Sequence, residues 1–406
     1  MTDRPTDDRR ISLALLLAAI CLIGVNMRTP ITGIGPLLEQ MSASTGQPLS
    51  VLSLLTSLPV LSWSIISSVA HPLTQRFGLR PVVLAAIILL GVGTVVRSLP
   101  GVAAEVGLWV GTLLVGATIA MFNVLMPAVV KRSFGRRSPV VTSIYTALFA
   151  GFGAVASSLV VPVSYLVSGG EGSTGWRVAL VAMSATLPIA GVLWIWHMRQ
   201  AGPEERVRPQ PRSEAVRRSV WGDRTAWLVG LYMGTQSILF YAMLTWTAPF
   251  ARDHGHSEIA AGNDVMLFQI TGVIGSLALP LLLRGRAERW IPALLPAFGV
   301  IGTIGLIVAP NVLVVWLLVQ GLTSGASIAM ALTLMASRAR DHRTSSALSG
   351  MSQSVGYVIS GAAPLIFGWL HAATASWTWP LGYVIAGLLA QLVIGLFVGR
   401  DRYVFD

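Results

Sequence analysis

The sequence predicts an all-α membrane protein of twelve transmembrane helices in two pseudo-symmetric six-helix bundles, and three observations carry that expectation. The first is composition. Hydrophobic residues make up 54% of the 406 and charged residues only 11%, whereas a soluble domain carries about 25% charged residues. The second is the recurrence of long apolar runs. A helix needs roughly 20 mostly apolar residues to cross about 30 Å of hydrocarbon, and unmet backbone polarity in lipid forces such runs to be helical. The third is an internal repeat. "GATIAMFNVLMP" (116–127) matches "GASIAMALTLMA" (325–336) at seven of twelve positions, 209 residues further on.

The candidate spans lie at 11–38, 50–70, 81–99, 105–130, 139–167, 177–198, 225–250, 260–284, 290–309, 312–337, 345–371 and 378–399. Pro36, Pro59, Pro127, Pro162, Pro249 and Pro364 fall within or near the ends of spans, where neighbouring helices satisfy the carbonyls that proline frees. Arg9 and Arg10 before the first apolar run resemble a signal peptide, but the many later spans make this an uncleaved first helix. The single cysteine, Cys21, excludes an intramolecular disulfide and a cysteine-rich metal site.

Charge sets the orientation. A net charge of +11 raises the question of nucleic acid, but its distribution answers it. With the N-terminus in the cytoplasm, the inside segments hold 24 of the 28 basic residues, and only Arg28, Arg97, Arg177 and Arg252 lie elsewhere. This is the positive-inside pattern. It implies a bacterial cytoplasmic membrane with both termini in the cytoplasm, and no nucleic-acid partner. The polar, proline-bearing segment 199–224 ("AGPEERVRPQPRSEAVRR" within it) is the long loop. It is expected to link an N-terminal bundle, 1–198, to a C-terminal bundle, 225–406. A second repeat pair, "HPLTQR" (71–76) and "LPLLLR" (279–284), also recurs six spans later. Six spans preserve orientation, so the halves are parallel repeats about an axis along the membrane normal.

That symmetry is that of the major facilitator fold, and the chain resembles a major facilitator transporter over essentially its whole length. The superfamily pattern between spans two and three, G-x-L-x-D-R-x-G-x-R, reads "HPLTQRFGLR" here. Leu73, Arg76, Gly78 and Arg80 match, while His71 replaces the glycine and Gln75 the aspartate. In the family that aspartate helps latch the outward-open state, so the resemblance implies a differently built latch involving Gln75, Arg76, Gly78 and Arg80. "NMRTPITGIGPLL" (26–38), "NVLMPAVVKR" (123–132), "TQSILFYAMLTW" (235–246) and "ALSGMSQSVGYVISGAAPLIFG" (347–368) are similar to the cyanate permease and 2-nitroimidazole transporter group. The resemblance implies transport of a small solute without fixing which.

Arg28 is the most pointed residue. The helical pattern runs through it without a break, and an arginine at bilayer depth costs from about 2.5 to more than 10 kcal/mol. Gly24, Arg28, Thr32 and Gly35 share one helical face that is small and polar. That face is expected to turn Arg28 toward a midplane cavity, the place of substrate sites in this fold. A planar guanidinium then suits a cyanate, nitro or carboxylate group, with up to two parallel hydrogen bonds. The competing reading is an arginine bound to carbonyls or to Glu39, three turns away, that holds helices together.

Asn26 accompanies Arg28 as a candidate solute ligand. Asn123 aligns with Leu332 in the repeat, and its presence in one half only points to function as well as to packing. Gln236, Phe240 and Tyr241 on span seven, Gln269 on span eight, and Gln353 and Tyr357 one turn apart on span eleven complete the set. Trp63 and Trp246 stand as cavity walls or interfacial anchors.

No Asp or Glu falls near the centre of a span; Glu39 and Asp264 lie toward outer ends, Glu39 as a candidate gate. A buried acid relay is therefore disfavoured, and a coupling proton stays open as a partner. "ALFAGFGAVASSLVVP" (147–162) lacks the G-P-x-x-G-G ending of drug/proton antiporters. Phosphate loops, metal-ligand clusters and nucleophile elbows are absent, so neither an enzyme nor a cofactor is expected. The expectation is a monomeric secondary transporter moving a small anionic or strongly dipolar solute by alternating access. The alternatives are an exporter of nitroimidazole-like antimicrobials and a transport-inactive sensor of the same fold.

Overall fold

The structure is a computed structural model that describes residues 4–101, 104–168, 172–200, 219–284, 288–340 and 342–405. Most of the expected 199–224 linker lies outside the described residues. Every long element is helical, and eleven helices among the described residues are long and apolar enough to span a bilayer. The expected second span adds a shorter apolar stretch, Leu49–Trp63, among the described residues.

The chain forms two compact units that do not follow the expected 1–198 and 225–406 boundaries. Unit 1 comprises Met1–Gly33 and Ile65–Pro211, and unit 2 comprises Ile34–Ser64 and Arg212–Asp406. The first span is divided between them. It consists of α1 (Arg4–Asn26), α2 (Thr29–Thr32) and α3 (Ile34–Thr45). Next come α4 (Leu49–Leu52), α5 (Leu54–Phe77), α6 (Leu79–Val96), α7 (Ala104–Phe134) and α8 (Ser138–Ser168). Gly78 joins α5 to α6 at φ +90°, a conformation costly for any residue with a Cβ, which accounts for glycine in this turn.

The sixth span is two helices, α9 (Gly172–Ala182) and α10 (Leu187–Gln200), where one helix over 177–198 was expected. Pro188 is the physical reason. It has no N–H to offer the carbonyl of Ser184, and its ring crowds that oxygen. Within unit 1, α1 packs on α8 and α10, α2 on α8, α6 on α7 and α10, and α8 on α9.

Unit 2 continues with α11 (Arg224–Asp253), α12 (Glu258–Leu282), α13 (Ile291–Val308), α14 (Leu313–Ser337), α15 (His342–Thr374) and α16 (Thr378–Val398). Asp223 and Ser257 cap α11 and α12 by accepting from the N–H of Ala226 and Ala260. Helix α11 is the hub. It touches α3, α12, α14, α15 and α16, and almost every residue from Tyr232 to Ala251 is buried. Other helices keep an apolar outer face: Leu166 is 82% exposed, Val308 76% and Leu277 74%. Apolar faces of this kind on helices of bilayer length have hydrocarbon, not water, as their solvent.

The repeat segment in α14 has a packing role. A Cβ on Gly325 would collide with the backbone of Gly272 on α12, and neither helix backbone can give way as a side chain would. Gly325→Val is therefore expected to destabilise unit 2 by about 3 kcal/mol or more and to cut the yield of monodisperse protein. Gly382 on α16 meets nothing within 4 Å, and Gly382→Ala should melt at or slightly above the wild-type temperature.

Candidate solute site

The site begins with two prolines. Pro30 removes the N–H that would serve the Asn26 carbonyl, and Pro36 removes the one that would serve Thr32. The helix accordingly stops at Asn26, turns through Met27 and Arg28, makes one turn as α2, and restarts at Ile34. The expected unbroken helix through Arg28 is thus corrected: Arg28 stands at φ −115°, at the head of α2.

Three neighbours in unit 1 meet the polar groups of this break. Asn26 Nδ2 donates to Leu22 O at 2.7 Å and to Thr186 Oγ1 at 2.7 Å. Thr29 Oγ1 donates to Met183 O at 3.0 Å. Arg97 Nη1 donates to Pro30 O at 2.8 Å. The break in the first span therefore meets the break in the sixth: Thr29 gives the Met183 carbonyl a donor and Asn26 bonds the Thr186 hydroxyl, while Arg97 serves the Pro30 carbonyl. This is how irregular backbone survives at membrane depth. Asn26 is fully buried in this joint.

Of the expected face, Gly24, Arg28 and Thr32 lie against α8 within unit 1, whereas Gly35 belongs to unit 2, where a Cβ on it would collide with the backbone of Leu244 and Thr245 on α11. A Cβ on Gly24 would press on Tyr145, and Thr32 Oγ1 donates to Gly153 O at 2.8 Å. The aliphatic stem of Arg28 lies on Gly153, where a Cβ would overlap its Cγ. Its Cζ sits 5.3 Å from the centre of the Phe149 ring, within cation–π reach. Arg28 is half-buried, and so is Asn123 on α7.

The other candidates belong to unit 2. Tyr357 OH donates to Gln353 Oε1 at 3.1 Å, and Gln353 Nε2 donates to Ser349 Oγ at 3.0 Å. The Trp63 ring meets Tyr357 edge-on at 5.4 Å. Phe240 packs edge-on against Tyr241 at 5.1 Å and beside Phe268 at 5.9 Å. Gln236 is buried, with its amide nitrogen given to Ser237 Oγ (2.6 Å) and Met233 O (3.2 Å). Gln269 is buried on α12. Trp246 is a packing residue of this unit. It is buried, stacked on Phe367 at 5.6 Å, and donates to Pro364 O at 3.1 Å.

Of the candidate gating residues, Gln75 and Arg76 are exposed near the end of α5, and Arg80 is half-buried with its carbonyl accepting from Trp194 Nε1 at 3.0 Å. Glu39 Oε2 accepts from Arg252 Nε at 3.1 Å, and Gln40 Nε2 donates to Glu258 Oε2 at 2.8 Å. His256 Nδ1 and Asp264 Oδ2 are 2.6 Å apart close by in the chain. Glu39 and Arg252 are both about a third exposed, and such pairs contribute roughly 0–1 kcal/mol. Glu39→Gln is accordingly expected to leave the melting temperature nearly unchanged; a drop of many degrees would show that the pair anchors α3.

Sequence reasoning missed Thr29, Thr186 and above all Arg97, whose position after an apolar run reads as an interfacial end. The structure buries it to 1% exposure. The available signal was two prolines within one span and a third, Pro188, in the sixth.

Helices of bilayer length, lipid-suited outer faces and broken spans with a cation at the break define a polytopic α-helical membrane transporter. The chain matches the Major Facilitator Superfamily over residues 14–361, and it belongs to that superfamily. It is 32% identical to an uncharacterized transporter of Bacillus subtilis, covering 98% of this chain and 97% of the relative. It is 31% identical to the 2-nitroimidazole transporter of Escherichia coli over 96% of each chain. Identity to the cyanate transport protein of the same organism is 28%, over 96% of this chain and 98% of that one. Among solved structures, a bacterial homolog of the human lysosomal transporter Spinster superposes with a TM-score of 0.80 over the full length of both chains at 14% identity. The D-xylose-proton symporter gives 0.73 over 97% of each at 14% identity. The relatives are transporters, and the fold is theirs.

Proposed function

We propose that the protein is a secondary transporter that moves a small anionic or strongly dipolar solute by alternating access, with Arg28 as the positive end of the solute site. The carrying observation is the placement of Arg28 at the break of the first span, its stem on Gly153 and its guanidinium beside Phe149. Discontinuous spans mark the solute sites of transporters of several folds. A guanidinium pairs with planar acceptors through parallel hydrogen bonds. The relatives named for 2-nitroimidazole and cyanate support a small solute that is anionic or strongly dipolar. Asn123 in unit 1, and Phe240, Tyr241, Gln353 and Tyr357 in unit 2, are the further candidate contacts. The arginine distribution favours both termini in the cytoplasm of a bacterial cell.

The test is a thermal-shift series of cyanate, 2-nitroimidazole, small carboxylates and neutral sugars, followed by flux of the responders in proteoliposomes under imposed pH gradients of either sign. The expected result is that the responders share a planar acceptor group and are transported. A response confined to neutral polyols would overturn the assignment. Binding without flux would favour the sensor, and net outward movement of 2-nitroimidazole the exporter.

A further inference from the structure

At the arginine-rich end of unit 2 lies a cavity of about 250 Å³ that the solute reading does not use. Arg224, Thr225 and Leu228 from the first turns of α11 line it, with Phe397 from the end of α16 and Arg400 and Arg402 just beyond. Two spans leave the hydrocarbon here. Trp221 and Trp227 mark the same level: they are 51% and 39% exposed, meet edge-on at 5.8 Å, and Trp227 Nε1 donates to Trp221 O. Exposed tryptophans at a helix end are the usual sign of the membrane–water interface.

The charge balance is one-sided. The nearby carboxylate of Asp223 has both oxygens engaged by backbone, from Ala226 N and Phe405 N at 2.9 Å each. Asp401 is 92% exposed and accepts from Arg338. Three arginines and a threonine thus line one hollow whose other residues are apolar, with Arg400 Cζ 5.5 Å from the Phe397 ring centre. The same pairing recurs in unit 1, where Arg136 and Arg137 border a cavity walled by Leu13, Leu17 and Phe134. An anion that also carries hydrocarbon fits both parts of such a wall, whereas a free inorganic ion fits only one.

We propose that the cavity at Arg224, Arg400 and Arg402 binds the headgroup phosphate of an acidic phospholipid, with an acyl chain lying along Leu228 and Phe397. The experiment is native mass spectrometry of the full-length protein titrated with dioleoylphosphatidylglycerol, with dioleoylphosphatidylcholine, and with phosphatidylglycerol in the presence of inorganic phosphate. Retained phosphatidylglycerol adducts are expected, with few from phosphatidylcholine and no competition by equimolar phosphate. Each arginine lost should weaken binding about fivefold, so the triple variant Arg224→Gln, Arg400→Gln, Arg402→Gln should lose the tightest adduct. The triple lysine variant should keep it. If the glutamine triple does not fold, Arg400→Gln with Arg402→Gln, both beyond the last helix, gives the same reading. Undiminished phosphatidylglycerol binding in the glutamine variants, equal binding of phosphatidylcholine, or displacement by inorganic phosphate would each overturn the proposal.

Discussion

Arg28→Ala is expected to lower solute uptake in proteoliposomes by about a hundredfold or more, in a protein that still folds. Two parallel charge-assisted hydrogen bonds are at stake, each about 1.5 kcal/mol or more, and about 3 kcal/mol is roughly a hundredfold in binding. Removal of the side chain also forfeits the packing of its stem on Gly153 and a cation–π contact of about 1 kcal/mol with Phe149. Arg28→Lys should fall between the two, because a lysine keeps the charge but not the planar fork. Thermal-shift titration of both variants, with melting temperatures in the absence of solute as the folding control, checks this. Wild-type affinity in both would remove Arg28 from the solute site.

Arg97→Met should separate folding from transport. The melting temperature is expected to hold or rise, and uptake to fall tenfold or more. Arg97 is 1% exposed, and its Nε and Nη2 have no hydrogen-bond partner among the described residues. Burying a guanidinium on one carbonyl bond is costly, and replacing buried charge with an apolar side chain of similar length is often neutral or stabilising. What methionine cannot do is donate to Pro30 O, two residues from Arg28. Without that brace the turn at 27–33 loses the bond that fixes it to α6, and the guanidinium of Arg28 loses its fixed position. Misplacement by about 1 Å degrades recognition that depends on geometry. A folded Arg97→Met protein with unaltered uptake would show the brace to be dispensable; a collapse in melting temperature would assign Arg97 to stability.

The span positions were legible because lipid imposes a length and an apolar composition on any helix that crosses it. The ends of α7, α8, α11 and α14 fall within a few residues of the expected limits. The breaks in the first and sixth spans were less legible. Hydropathy is blind to them, since Met27, Pro30 and Ile31 are as apolar as a continuous helix, and proline within a span signals a kink as readily as a stop. The partner of Asn26 was not legible at all: Thr186 lies 160 residues away. Helical spacing put Gly24, Arg28, Thr32 and Gly35 on one face; the first three meet α8, but the break before Ile34 sends Gly35 to α11, and spacing carries no information on which helix covers a face.

Composition, arginine placement and the internal repeat determined the class of protein, because a bilayer constrains every spanning residue in the same way, and the resemblance of its motifs pointed to the family. The tertiary structure alone decided that α3 clusters with unit 2, that Glu39 meets Arg252, and that Arg97 is buried against Pro30 rather than anchored at the surface. The physical reason is the range of the forces. Hydrophobic partition acts on each residue by itself and so is written along the chain. A hydrogen bond between two broken helices depends on both being broken at the same depth, and only the assembled bundle sets that depth.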